Sequence, residues 1–183
     1  MSEDPPPIRI NRAPVLTLWA SIVAERLGFD RNLALTLGQA IAGMSAYAKG
    51  VSLGLIESRA EAVRERGERL EEGERLHIDL LGRAVPVVRT PQGLRALDKG
   101  QPGSPERIER YLHAKFKDRL EEARAAMAEL AAAFDEEELW RRGFKLYEAF
   151  RPEVPKGERG WGAMGVLDLE VIRKLRSRSA APP

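Results

Sequence analysis

The strongest constraint on the fold is a long stretch of helical spacing in the middle of the chain. Beyond Ser104, apolar side chains recur at intervals of three and four residues, the period of a helix with one buried face. These residues are Ile108, Leu112, Phe116, Leu120, Ala123, Met127, Leu130 and Phe134. Ser104 can cap such a helix, and Pro105 suits its first position. We therefore predict one continuous helix over residues 105–133, about 29 residues and ~43 Å long.

Further helices are predicted on both sides of this one. Residues 8–56 show two helical patterns joined at Gly28, with Asp30 placed to cap the second, which predicts an antiparallel helical hairpin. Residues 136–150 begin with acidic side chains, as helix starts favour. Asp168 can cap a final short helix. The chain is therefore predicted to be mainly α, with about five or six helices.

The apolar period changes to two between residues 76 and 97. LHIDLL and AVPVVR flank Gly82-Arg83, a two-residue connection with glycine first that favours a type II′ hairpin turn. The sequence Thr90-Pro91-Gln92-Gly93 predicts a second turn, and Pro86 favours an edge position. We expect one small antiparallel sheet, a hairpin or a three-stranded meander, packed against the helices. The fold class is then α+β with a majority of helix.

The chain is predicted to form one domain over residues 8–176, between disordered tails at 1–7 and 177–183. Residues 57–75 are mostly charged, with 12 charged side chains among 19 residues. Pairs of opposite charge four residues apart favour an exposed helical connector there, and an acidic interaction surface is the alternative. The ordered C-terminal part, residues 104–176, combines helices with one long loop.

That loop, residues 151–168, is rich in glycine and proline yet carries Trp161 and other apolar groups. Long ordered loops inside compact domains are usually functional, and we expect this one to fold back over the core. Its match to GxGxxG from Gly160 to Gly165 lacks the preceding strand and the downstream acid that a dinucleotide site requires. We therefore predict no nucleotide site and no cofactor.

Composition excludes several classes of site. The chain has no cysteine, so it can form no disulfide, zinc–thiolate site or iron–sulfur cluster. It carries none of the common catalytic motifs, and we predict no catalytic or metal-binding residue. His77 and Asp79 alternate on one strand face, which favours an exposed polar side of the sheet, with a weak metal pair as the alternative.

Hydropathy and charge bear on location and source. No apolar run approaches the ~20 residues of a membrane helix, so we expect no membrane association and a cytoplasmic protein. Charged residues make up 32% of the chain, which together with the lack of cysteine fits a heat-adapted source.

Basic charge is concentrated at the C-terminal end. Residues 141–183 hold 10 basic and 5 acidic side chains, against 20 and 23 in residues 1–140. Cations and aromatic rings alternate there, and this combination holds phosphates and stacks on bases. The predicted binding surface is Arg141, Arg142, Lys145, Arg151, Lys156, Arg159 and Trp161. The alternative is a structural loop in which Trp161 fills the edge of the core.

The N-terminal hairpin has the spacing of a DNA-binding helix-turn-helix around Gly28. Its second helix would then present Arg31, Asn32, Thr36 and Gln39 to the bases. A buried helical hairpin explains the same spacing and is the reading that we favour.

Two segments resemble the two ends of a family of uncharacterised bacterial proteins. They are RAPVLTLWASIVAERLGFDRNLALTLGQAIAG, followed by YAKGVSLGL, and FRPEVPKGERGWGAMGVLDLEVI. The resemblance implies a single structural unit that joins both ends of the chain. It carries no functional residue over to this sequence.

The leading functional hypothesis is a non-enzymatic, cytoplasmic binding or regulatory protein that contacts nucleic acid through the basic–aromatic C-terminal surface. One alternative is a small-molecule-binding protein or enzyme, with a site between the β-sheet and the loop at 151–168. Another is a structural homo-oligomer held by the long helix.

Overall fold

The computed structural model describes residues 6–47, 65–66, 68–154 and 164–180. Its helices are α1 (Arg12–Arg26), α2 (Arg31–Tyr47), α3 (Pro105–Phe116), α4 (Leu120–Ala132), α5 (Glu136–Phe150) and α6 (Leu169–Ala180). Its strands are β1 (Ile8–Asn11), β2 (Arg75–Leu80), β3 (Arg83–Thr90), β4 (Gly93–Asp98), β5 (Gln101–Pro102) and β6 (Met164–Leu167). Helices therefore dominate the described residues, as predicted, but two antiparallel sheets accompany them instead of one.

The helices begin where the sequence places their caps. Ser104 Oγ accepts a hydrogen bond from the backbone of α3, and Asp135 Oδ1 accepts one from Glu138 N at 2.7 Å in α5. Asp168 Oδ1 caps α6 through Glu170 N at 2.9 Å. Each cap satisfies a backbone N–H that has no partner inside its own helix. Helix α6 nevertheless runs on to Ala180, four residues beyond the boundary expected at 176.

The hairpin of α1 and α2 forms the centre of the core. Every residue of α1 from Pro14 to Ala24 is buried. Gly38 of α2 lies against the backbone carbonyl of Thr17, where a Cβ atom would overlap it, so the two helices approach closely. Asp30 caps α2 through Leu33 N at 3.0 Å, as predicted.

Most of α2 faces the interior, including Thr36, one of the four residues that would face the bases. Thr36 is buried, and its hydroxyl donates to Leu33 O at 2.8 Å while accepting from Ala96 N of β4 at 2.9 Å. Arg31 is held in an ion pair with Glu109 at 3.0 Å. The spacing that resembles a helix-turn-helix therefore belongs to a buried hairpin.

The predicted long helix is broken in two. Helix α3 ends at Phe116, a single 3₁₀ turn covers Lys117–Arg119, and α4 begins at Leu120. Arg124 Nη2 lies 2.7 Å from Glu109 Oε1 although the two residues are 15 apart in sequence. A straight helix would separate them by ~22 Å. Helices α3 and α4 therefore fold back toward each other.

This bend divides the long helix on which the homo-oligomer alternative was based, and that alternative stays a prediction. The apolar residues that suggested a long contact helix all lie in the core: Ile108, Leu112, Phe116, Leu120, Ala123, Met127, Leu130 and Phe134. Their face is covered by the rest of the same chain, so it cannot pair with a second copy without unfolding.

The larger sheet has the strand order β2-β3-β4-β5. Its first turn is Leu81-Gly82, one residue earlier than predicted, with φ values of 50° and 76°. Positive φ at both positions corresponds to a type I′ turn rather than type II′. Pro86 lies in the part of β3 that pairs with β2 alone, where its missing N–H is not needed by β4.

The second sheet joins the two ends of the chain. Strand β1 pairs antiparallel with β6, and Glu153 continues the ladder beyond β6 through two backbone hydrogen bonds to Val166. Arg12 Nε reinforces the junction by donating to Pro152 O at 3.0 Å. The segment predicted as a loop at 151–168 therefore contains a strand at 164–167.

We expect Gly165→Ala to weaken this sheet. A Cβ atom at Gly165 would lie 2.8 Å from both Glu153 O and Pro152 Cβ, closer than atoms can pack. The strand must shift, at a cost of about 1–3 kcal/mol in the free energy of unfolding. Urea denaturation measures this loss. Met164→Ala, at an exposed position of the same strand, is the control and should cost less than about 1 kcal/mol. Equal losses in the two variants would contradict the packing argument.

Candidate nucleic-acid interface

A groove of about 200 Å³ lies between the β2–β3 turn and helix α5. We call it the basic–aromatic groove, and it is lined by Leu81, Gly82, Arg83, Trp140, Arg141, Phe144 and Lys145. The turn provides one wall and the outer face of α5 provides the other. Three of the seven residues are cations, two are aromatic, and none is acidic.

The three cations of the groove have no partner in the described part of the chain. Arg83, Arg141 and Lys145 form neither an ion pair nor a side-chain hydrogen bond with any described residue. Arg141 and Lys145 are exposed, and Arg83 is half-buried. Unpaired cations around one concave surface add up to a positive potential that attracts anions. The groove is therefore electrostatically suited to a negatively charged ligand.

The aromatic residues lie along the same wall as two of these cations. Trp140 and Phe144 are half-buried and pack against the core with one side. They stand four residues apart on α5, as do Arg141 and Lys145, so each pair is spaced ~6 Å along the helix axis. An aromatic row and a cationic row consequently run side by side toward the groove.

A buried tryptophan fixes the position of this helix. Trp19 of α1 donates its indole N–H to Gly143 O at 2.9 Å, in the middle of α5. Its ring meets Phe150 edge-on, with the centroids 5.3 Å apart. Tyr147 connects Phe150 to Phe144 through two further ring contacts of 5.9 and 5.7 Å. The wall of the groove is thus tied to the centre of the core.

Gly143 brings the turn onto α5. A Cβ atom at this position would overlap the end of the Leu81 side chain, which would have to move, so glycine favours the close approach of the turn to the helix. Tyr147, on the same helix, is buried as well. Its burial raises the pKa of its phenol above the usual range, so the hydroxyl stays protonated. Its hydroxyl lies 3.5 Å from Arg12 O.

The structure places the residues of the predicted binding surface at different locations. Arg141 and Lys145 line the groove. Arg142 lines a different cavity, between α4, α5 and α6, with its guanidinium 5.4 Å from the centre of the Phe134 ring and 3.9 Å from Glu138. Arg151 pairs with Glu148 at 4.0 Å. Lys156, Arg159 and Trp161 lie outside the described residues, so their part in the predicted surface stays a prediction.

Sequence reasoning missed Arg83 and the role of the turn. Arg83 was assigned to the hairpin connection, and nothing local places that hairpin against α5. The sequence feature that indicates a contact with α5 is Gly143, a glycine inside an otherwise strongly amphipathic helix. Such a residue often marks the close approach of another element.

The histidine and carboxylate of β2 have other contacts. His77 is exposed and lies opposite Pro86, and both His77 and Asp79 interact with neighbouring groups. The described residues contain no cluster of three or more side chains placed to bind a metal ion. None of the helices that the structure describes is both long and apolar enough to cross a bilayer.

The alternative site between the sheet and the loop at 151–168 is described only in part. Residues 151–154 and 164–168 are described, and none of them lines the cavities of about 200, 570 and 580 Å³ that lie among the described residues. These cavities lie at the groove, beside β4, and between α4, α5 and α6.

Comparisons of the chain with protein-family models, curated proteins and solved structures found no match. The resemblance of its end segments to an uncharacterised bacterial family therefore stays a prediction. The geometry of the groove is the basis for a functional proposal.

Proposed function

We propose that the protein binds single-stranded nucleic acid at the basic–aromatic groove. Phosphates contact Arg83, Arg141 and Lys145, and bases stack on Trp140 and Phe144. The observation that supports this most directly is the convergence on one groove of two aromatic rings and three cations that have no partner among the described residues, without an acidic lining residue. The proposed role is binding or regulation rather than catalysis.

Groove size favours a chain-like ligand over a small molecule. Pockets that bury a drug-sized ligand usually measure about 300–1,000 Å³, and this groove measures about 200 Å³. It can hold part of a ligand while the remainder follows the surface. Single strands suit the aromatic rings because their bases are free to stack, whereas the bases of a duplex are already stacked on one another.

Salt-dependent binding of a short oligonucleotide tests the proposal. The protein is titrated into a fluorescently labelled single-stranded oligonucleotide, and anisotropy is recorded at several salt concentrations. Each phosphate contact releases counterions, and three contacts give a slope of log K against log [salt] of about −2. A labelled duplex of the same sequence should bind more weakly. Absence of binding at low salt would exclude the proposal.

We expect loss of an aromatic ring to weaken binding without changing its dependence on salt. Trp140→Leu keeps an apolar side chain on α5 but removes the surface on which a base stacks. One stacked base contributes about 1–3 kcal/mol, or roughly 5- to 150-fold in affinity. Oligonucleotide anisotropy measures the change at two salt concentrations.

Tyr111→Leu is the matched control for this variant. Tyr111 is a half-buried aromatic residue on α3 with Lys115 5.9 Å from its ring, and it lies outside the groove. Its replacement should leave affinity unchanged. Equal losses in the two variants would mean that stacking does not occur at Trp140.

A further inference from the structure

A second site is indicated by Arg95 of β4. Arg95 is only 7% exposed, and it is the one charged residue among the described residues that is buried. It lies opposite Val88 of β3, which is buried too but does not belong to the main core. Charged side chains are almost never fully buried without a partner, so the surroundings of this guanidinium need an explanation.

The partners of Arg95 satisfy only part of its hydrogen-bonding capacity. Nη1 donates to Leu94 O at 2.7 Å and Nη2 donates to Gln92 O at 3.3 Å. No carboxylate of the described residues lies within 4.0 Å of it. A guanidinium has five N–H donors, so most of them have no acceptor in the described part of the chain. The positive charge has no direct ion-pair partner there, and Glu106 interacts with it only at longer range.

Arg95 lines a cavity of about 570 Å³ between the β3–β4 turn and the start of α3. The volume is within the range of small-molecule pockets. Apolar surface comes from Val88, Pro91, Pro102 and Pro105. The cavity therefore combines a buried cation with an apolar lining, the arrangement that fixes a ligand having a charged end and an apolar body.

The carboxylates beside this cavity discriminate between anions. Glu72 and Glu106 line it as exposed residues, and the half-buried Arg89, which has an interaction of its own, lines it too. Glu106 accepts a hydrogen bond from Ser104 Oγ at 3.2 Å. Its own backbone N–H, then Ser104, and more weakly Arg95 lower its pKa, so it is charged near neutral pH. Two negative charges repel a doubly charged phosphate more strongly than a singly charged carboxylate.

We propose that this cavity binds a small monocarboxylate with a compact apolar body, whose carboxylate pairs with Arg95. Arginine and carboxylate match in plane and donor spacing, which gives two parallel hydrogen bonds. The ligand supplies the direct ion-pair partner that the described residues do not. This site is separate from the basic–aromatic groove and does not depend on nucleic-acid binding.

Nuclear magnetic resonance of the intact chain tests the proposal with benzoate as the probe. Adding benzoate should move the Nε–Hε signal of Arg95 in a saturable way, and the neutral analogue benzyl alcohol should move it far less. Inorganic phosphate should bind at least about fivefold more weakly than benzoate. No movement with benzoate, or binding of phosphate as tight as that of benzoate, would overturn the proposal.

Two variants separate binding from a purely structural role of Arg95. Arg95→Lys should weaken benzoate binding at least about tenfold, because lysine cannot form the paired hydrogen bonds. Glu106→Gln should strengthen benzoate binding about two- to fivefold, because it removes the repulsion between the Glu106 carboxylate and benzoate. If Arg95 only stabilised the turn, Glu106→Gln would have no such effect. Arg141→Lys, in the groove, should leave benzoate binding unchanged. An unchanged affinity in Glu106→Gln would contradict the proposal even if Arg95→Lys failed to fold.

Discussion

Replacing Trp19 with alanine is expected to lower the free energy of unfolding by about 3–5 kcal/mol, the range for removing a large buried aromatic side chain. Trp19 is fully buried, with 0% of its surface exposed. Its removal leaves a cavity beside Phe150, and it leaves Gly143 O without the indole N–H that it accepts at 2.9 Å. The loss combines apolar burial with an unsatisfied buried carbonyl.

Chemical denaturation followed by circular dichroism measures this loss. Trp19→Phe is an informative second variant, because it keeps an aromatic ring and removes the N–H donor together with part of the volume. It should cost less than Trp19→Ala. A loss below about 1 kcal/mol in Trp19→Ala would mean that α5 is not held against α1 in the way described.

Removing the three groove cations is expected to weaken oligonucleotide binding at least about tenfold, or ~1.4 kcal/mol. The triple variant Arg83→Gln, Arg141→Gln and Lys145→Gln keeps polar side chains and removes the charges that face the phosphates. None of the three has a partner among the described residues, so the fold should not depend on them. Its unfolding transition is therefore expected to match that of the original protein.

A second triple variant controls for net charge. Arg107→Gln, Arg110→Gln and Lys174→Gln remove the same charge from exposed positions on α3 and α6, outside the groove. This variant should change affinity by less than about twofold, since exposed charges beyond a Debye length are screened. If both triple variants lost affinity equally, binding would reflect net charge rather than the groove.

The sequence predicts those helices and strands whose start, apolar period and end are all encoded within one segment. Helix α5 has the predicted bounds because the acidic start after Asp135, the apolar period and the stop at Arg151-Pro152 all lie within the segment. The caps at Asp30, Ser104, Asp135 and Asp168 form hydrogen bonds for the same reason. The hairpin of β2 and β3 was also found, although its turn is Leu81-Gly82 and not Gly82-Arg83.

Features that depend on distant contacts were not predicted. No glycine or proline marks the break at Lys117–Arg119, and the apolar period continues through it. The bend follows from packing both helices onto one core, where Glu109 meets Arg124. Strands β1 and β6 are four residues each and come from opposite ends of the chain, so no local pattern reveals their pairing.

The candidate site was predicted in part for the same reason. Arg141 and Lys145 were identified from their own segment, and the structure places both at the groove. Arg83 comes from a hairpin whose position on α5 depends on Gly143. In sequence, Arg142 and Arg151 look equivalent to Arg141 and Lys145. The structure distinguishes them, because Arg142 pairs with Glu138 and Arg151 pairs with Glu148, whereas Arg141 and Lys145 have no ion-pair partner among the described residues.

The salt dependence of oligonucleotide binding, compared between the original protein and the groove variant, tests the central claim most directly. Three phosphate contacts at the groove predict a slope of log K against log [salt] of about −2 for the original protein and close to zero for Arg83→Gln, Arg141→Gln, Lys145→Gln. Both slopes come from the same anisotropy titrations at matched salt concentrations. Identical slopes in the two proteins would place the phosphate contacts elsewhere and contradict the assignment of the groove.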